Sequence, residues 1–177
     1  GKAANALGRL AVLDPVGAGA SPLRTNTALK LLEEVNFSVI RGNISEIKTI
    51  SQGSGTTKGV DADVSDAVTE SSLPEAVRFA KALSASTGAV VAITGAIDIV
   101  ADEGKAYIIR NGHTMMSQIT GTGCMLTALI AAYCGANPDR LLDAAAAAVA
   151  AMGLCGEIAY KRTSEAGAGT GTFRTLL

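Results

Sequence analysis

Ten residues, Ile119-Thr120-Gly121-Thr122-Gly123-Cys124-Met125-Leu126-Thr127-Ala128, put the ingredients of an anion site beside a candidate acid–base group. Two glycines flank Thr122, and Cys124 follows where an apolar stretch, Met125 to Tyr133, begins to read as a helix. Glycine lets a backbone turn sharply and approach a ligand closely. The first turn of a helix leaves N–H groups unpaired at the positive end of the helix dipole, which suits a phosphate. Gly121 to Cys124 therefore reads either as a phosphate-binding turn or as a glycine-rich loop that starts a core helix. Cys124 also reads two ways. A lone cysteine on an apolar helix is often a small buried hydrophobe. At a helix N-terminus its thiol pKa is expected to fall toward neutrality, fit for a weak base beside a substrate hydroxyl.

Other residues could serve the same chemistry. Asp14 closes an apolar run and precedes Pro15-Val16-Gly17, which fits a turn-forming aspartate or a carboxylate near Mg²⁺. Asn43-x-x-Glu46 fits a helix cap or a second carboxylate. Magnesium is usually held by one or two carboxylates, waters and nucleotide phosphates, and Asp14 with Glu46 supplies that set if their strand ends are neighbours. Arg41 is a surface charge or, beside a phosphate loop, a contact for an ATP phosphate. His113, the one histidine, is read as packing or pocket lining. Gly17-Ala18-Gly19 after a strand lacks the rest of a dinucleotide fingerprint, since position 22 is proline. Gly53-Ser54-Gly55-Thr56-Thr57-Lys58-Gly59 lacks the G-K-[ST] end of a P-loop and reads as a solvated loop.

These residues must be held by strands alternating with helices. Leu10–Leu13, Phe37–Ile40 and Ala89–Thr94 are mainly apolar runs that read as buried strands. Ile97–Ala101 and Lys105–Arg110 read as a hairpin turned at Asp102-Glu103-Gly104. Helices are expected from an N-cap at Thr25 to Val35, from Asn43 in capping-box form, and from Pro74 to about Ser84. An alanine-rich helix follows from about Asp139 to Lys161, and Gly167–Gly171 leads into a last one. Arg41-Gly42-Asn43 reads as a turn, and Ser51 to Ser72 as a polar surface excursion. The pattern indicates a mostly parallel sheet covered on both faces. Ligands gather beyond the C-terminal ends of such strands, where Asp14, Arg41-Gly42-Asn43 and Thr94-Gly95 all stand.

The bulk properties agree with one α/β domain. Of 177 residues, 48% are hydrophobic and only 3% aromatic, so the core must be aliphatic and alanine-rich. With 15 basic and 16 acidic residues the net charge is −1, which argues against nucleic acid or an anionic membrane as the main partner. No apolar run reads as a membrane span. Cys124, Cys134 and Cys155 are odd in number and form no C-x-x-C pair. That argues against a disulfide framework and fits a reducing cytoplasm.

Four segments together carry a resemblance. They are Leu13-Asp14-Pro15-Val16-Gly17-Ala18-Gly19-Ala20, Ile40-Arg41-Gly42-Asn43-Ile44-Ser45-Glu46-Ile47, Ala92-Ile93-Thr94-Gly95 and Thr120-Gly121-Thr122-Gly123-Cys124-Met125-Leu126. In this order they resemble the hydroxyethylthiazole kinases, thiamine-salvage enzymes of the ribokinase-like superfamily. The resemblance implies a three-layer sandwich over residues 1–177. It implies phosphorylation of the primary alcohol of 4-methyl-5-(2-hydroxyethyl)thiazole by ATP with Mg²⁺. By position it makes Arg41 and Thr94 ATP contacts, Gly121 a thiazole contact, and Asp14 and Glu46 the magnesium-associated acids. Gly121, Thr122, Gly123 and Cys124 become the anion hole, with Cys124 where most ribokinase-like kinases carry an aspartate base. It further implies a homotrimer with sites between subunits. An N-terminal portion that completes the thiazole pocket with a methionine, and the extreme C-terminus, are expected to lie outside residues 1–177. Two alternatives stay open: a ribokinase-like kinase for another small alcohol, and a non-catalytic nucleotide-binding or oligomerisation fragment.

Overall fold

A computed structural model describes residues 1–52 and 67–177. The glycine-rich stretch from Gly53 to Gly59, and most of the polar excursion read between Ser51 and Ser72, lie outside the described residues. After a short helix α1 (Lys2–Ala6), strand β1 (Val12–Leu13) leads through a loop into helix α2 (Pro22–Glu34). Strand β2 (Val39–Asn43) runs directly into α3 (Ile44–Gln52), and α4 (Leu73–Thr87) precedes β3 (Val90–Thr94). A hairpin of β4 (Asp98–Ala101) and β5 (Ala106–Ile109) follows, then α5 (Thr122–Ala136), α6 (Leu141–Glu165) and α7 (Thr170–Leu176).

The five strands form one sheet in the order β1-β2-β3-β4-β5. It is parallel across β1, β2 and β3 and antiparallel across β3, β4 and β5. The hairpin turn is held by Asp102 Oδ1, which accepts from the N–H of Gly104 at 2.8 Å and of Lys105 at 2.6 Å. Strand alternation sends Ile40, Val91, Ile93 and Ile99 to one face, where they pack on Ile47 and Ile50 of α3 and Ala80 and Leu83 of α4. Val39, Val90, Ala92 and Val100 go to the other face, against Leu126 and Ile130 of α5 and Ala145, Val149 and Met152 of α6. Helices on both faces make the expected three-layer α/β sandwich, but around a mixed rather than mostly parallel sheet, because the β4–β5 hairpin adds two antiparallel pairings beside the two parallel ones.

Helix α6 is long and apolar enough to cross a membrane by length and composition. Half of its most apolar window is nonetheless buried here, and Leu142, Ala145, Val149 and Met152 recur at the spacing of one helix face. Its alanines let it lie close along α5 without large side chains between them. Cys124, Cys134 and Cys155 are all free, Cys134 buried and the others exposed.

Beyond shifts of a few residues at several ends, three boundaries differ from the sequence reading for an identifiable reason. Helix α2 begins at Pro22 rather than after Thr25, because Ser21 caps it: Ser21 Oγ accepts from Arg24 N at 3.3 Å and proline fills the first turn. Helix α4 runs on to Thr87 and stops at Gly88, whose φ of 72° is the left-handed turn that ends helices. Arg41-Gly42-Asn43 is not a turn but the end of β2, paired in register with Ala92, Ile93 and Thr94 of β3.

Candidate active site

Asp14, Arg41 and Thr94 continue the strand faces that carry Val12, Val39 and Ala92, so all three turn toward α5 and α6 at the C-terminal edge of the parallel strands. Register brings them together. Arg41 Nη1 meets Asp14 Oδ2 at 3.3 Å, and Arg41 Nη2 donates to Thr94 Oγ1 at 2.7 Å. The Arg41 and Asp14 side chains are only 13% and 12% exposed, so this pair is largely removed from water. Breaking such a pair leaves a poorly solvated charge, which makes both partners sensitive to substitution.

Helix α5 closes the site from above that sheet face. Gly121, its N-cap, has φ 103°, a left-handed value that glycine adopts without strain. The first intrahelical bond runs from Met125 N to Gly121 O at 2.9 Å. The N–H groups of Thr122, Gly123 and Cys124 therefore precede the helical ladder and are free for an anion at the positive end of the dipole. A Cβ on Gly123 would sit 2.7 Å from Arg41 Nη1. Glycine at this position is what lets the guanidinium lie against the first turn. Cys124 is exposed on the same turn.

Glu46 stands on the opposite side of β2. It completes the predicted capping box: Glu46 N donates to Asn43 Oδ1 at 2.8 Å while Glu46 Oε2 accepts from Asn43 N at 2.9 Å. Its other oxygen, Oε1, accepts from Gly17 N at 2.7 Å, tying the loop after β1 to the start of α3. Burial pushes the Glu46 carboxyl up, the N–H groups of Gly17 and Asn43 oppose that, Asp14 raises it further and Arg41 lowers it. Glu46 is thus a cap, a loop clamp and a second acid near Asp14 at once.

Two residues of the site were not singled out by sequence reasoning. Thr127 Oγ1 donates to Asp14 Oδ2 at 2.7 Å and lies 3.1 Å from Gly123 O. Asp98, at the start of β4, accepts from Gly95 N at 2.8 Å and so holds the turn beyond Thr94. Burial lifts its carboxyl from 3.8 to about 6, with the Gly95 N–H and Arg41 pulling the other way. Neither gave a local signal: Asp98 takes its bond from a residue three positions before it, the reverse of an Asx turn, and a threonine inside an apolar helix is unremarkable.

His113 lies outside this cluster. Its Nδ1 accepts from Met115 N at 3.1 Å, and its ring stacks on Tyr160 at 3.4 Å between centroids, as the packing reading expected. A surface depression lined by Ser84, Gly88, Val90 and Asp102 sits at the other end of β3 and shares none of these residues.

With Asp14, Arg41, Thr94 and the first turn of α5 gathered at the strand ends, comparison with known proteins decides the family. The sequence model of the hydroxyethylthiazole kinase family matches residues 1–177. The chain belongs to this family. It is 62% identical over 165 residues to the hydroxyethylthiazole kinase of Clostridium acetobutylicum, covering 93% of this chain and 60% of that protein. Against that of Desulfovibrio desulfuricans the identity is 47% over 184 residues, covering 100% of this chain and 65% of the relative. The hydroxyethylthiazole kinase structure from Pyrococcus horikoshii OT3 superposes with a TM-score of 0.79 at 31% identity, covering 99% of this chain and 60% of that one. A ribokinase-like superfamily protein from Enterococcus faecalis shares the fold alone, at 17% identity and TM-score 0.58, over 95% of this chain and 51% of its own. The chain spans about three fifths of the length of the curated relatives it matches.

Proposed function

We propose that this chain provides the phosphoryl-transfer site of a hydroxyethylthiazole kinase, which moves the terminal phosphoryl group of ATP onto the hydroxyethyl alcohol of the thiazole in thiamine salvage. One observation carries the reading: the free first-turn amides of α5 and the Arg41 guanidinium are packed against each other through Gly123. Phosphoryl transfer needs alignment and charge neutralisation more than covalent chemistry, and amides and guanidinium together meet that need.

In this reading Arg41 and Thr94 contact ATP. Gly121 presents backbone to the thiazole alcohol. The amides of Gly121 to Cys124 hold the developing negative charge. Cys124 lies beside the attacking hydroxyl as acceptor of its hydrogen bond and weak base. Asp14 and Glu46 would hold Mg²⁺, which when bound neutralises phosphate charge. The donor set fits that ion: Asp14 Oδ1 is buried without a protein partner, and Glu46 is the second carboxylate. Both Glu46 oxygens already receive backbone N–H groups, which suits contact through a metal-bound water better than direct ligation. The family resemblance further supports a cytoplasmic homotrimer with sites between subunits.

ADP release with Mg²⁺–ATP, with and without hydroxyethylthiazole and with a hydroxymethylpyrimidine control, tests the proposal. ADP formed only with the thiazole upholds it. Folded, ATP-binding protein that gives no thiazole-dependent ADP overturns it.

A further inference from the structure

Thr127 lies in α5, one turn beyond the proposed anion hole, and its hydroxyl points back to the strands. Asp14 Oδ2 receives two donors, Thr127 Oγ1 at 2.7 Å and Arg41 Nη1 at 3.3 Å, while Asp14 Oδ1 is buried with no protein partner. The same hydroxyl is 3.1 Å from Gly123 O, and Gly123 is the residue on which the Arg41 guanidinium rests. With its one hydroxyl proton given to Asp14, Thr127 completes a ring with Arg41, Asp14 and Gly123 that closes along the α5 backbone and joins β1, β2 and the start of α5. Within that ring the 2.7 Å bond is the shorter and better formed of the two to Asp14.

We propose that Thr127 is a positioning residue for phosphoryl transfer, holding Asp14 and fixing the first turn of α5 over the strand ends; this rests on the kinase reading above. Arg41 serves both Asp14 and, in that reading, a phosphate. When Arg41 turns to the nucleotide, the Thr127 hydroxyl is the donor that keeps the Asp14 carboxylate in place. A misplacement of about 1 Å from a residue outside the chemistry can cost about a hundredfold in rate.

Thr127→Val keeps the branched shape and removes the hydroxyl, and Thr127→Ser keeps the hydroxyl. The valine variant is expected to fold, to lose about tenfold or more in kcat, and to change its KM for ATP by less than about threefold. Serine is expected to return kcat to within about threefold of the parent. Combined with Asp14→Asn, Thr127→Val should add little, because both changes remove one interaction. Parental kcat in the valine variant, failure of serine to rescue, or full additivity with Asp14→Asn would each overturn the inference. If the parent protein itself makes no thiazole-dependent ADP, the kinase reading fails, and guanidinium NMR still decides the role of Thr127. Arg41 Nη signals that shift in the valine variant and not in the serine variant uphold the ring; signals that stay put in both overturn it.

Discussion

Two single residues carry tests of charge and proton placement. Cys124 sits on the first turn of α5, where a negative side chain is favoured by the helix dipole. An aspartate there is tolerated by the helix and is a base with a proton-accepting oxygen already ionised at neutral pH. Cys124→Asp is therefore expected to keep the rate or raise it, by up to the roughly hundredfold scale of general-base catalysis. Steady-state ADP formation checks this, and a folded variant with no activity contradicts the placement of Cys124. Asp98 tests the energetics of burial. Burial pushes its carboxyl up from 3.8 to about 6, so folding penalises its ionised form. The contribution to stability is whole below about pH 3.8 and is lost as pH rises through about 6. The difference is on the order of 3 kcal/mol. Asp98→Asn keeps an oxygen for the Gly95 N–H and removes the charge. Between pH 4 and pH 7.5 the variant's stability relative to the parent should rise by about 2–3 kcal/mol, read by urea unfolding at each pH. A constant difference would show that the Asp98 carboxyl is not penalised by its surroundings.

At the scale of elements, the join between α5 and β2 is the sensitive one. A methyl on Gly123 would come 2.7 Å from Arg41 Nη1. The guanidinium must then leave Asp14 and Thr94, whereas alanine suits a helix better than glycine by about 1 kcal/mol. Gly123→Ala should therefore lose at least about tenfold in kcat/KM while its Tm stays within a few degrees of the parent. An active Gly123→Ala protein would mean that Arg41 works from some other position. The cap of α3 makes a simpler case. Asn43→Ala removes the acceptor of the Glu46 N–H and should cost about 1 kcal/mol or more, by chemical denaturation.

The capping box, the hairpin turn at Asp102 and the glycine turn that starts α5 at Gly121 were legible in the sequence because each is a local pattern of residue types. The extent of β2 was not. Arg41-Gly42-Asn43 has turn chemistry, and only pairing with Ala92, Ile93 and Thr94 makes it a strand. Thr127 was illegible for a similar reason: its partner Asp14 is 113 residues away. Local propensity carries no trace of a contact that the tertiary fold creates.

At the scale of the whole molecule, the position of the site within one chain constrains how subunits can share it. Asp14, Arg41, Thr94, Gly123 and Thr127 touch one another within a single chain. They come from β1, β2, β3 and α5, so no exchange of subunits can separate them. If the homotrimer proposed for this chain places sites between subunits, what the neighbour lends must lie outside this cluster, on the side proposed for the alcohol. Complementation discriminates. Arg41→Ala and Cys124→Ala subunits, co-refolded into mixed oligomers, should show no more activity than the average of the two parents, since every site inherits one defect or the other in full. Activity well above that average would mean that one subunit's Arg41 serves another's α5 turn. That would require the guanidinium to leave the contact with Gly123 around which the cluster is built.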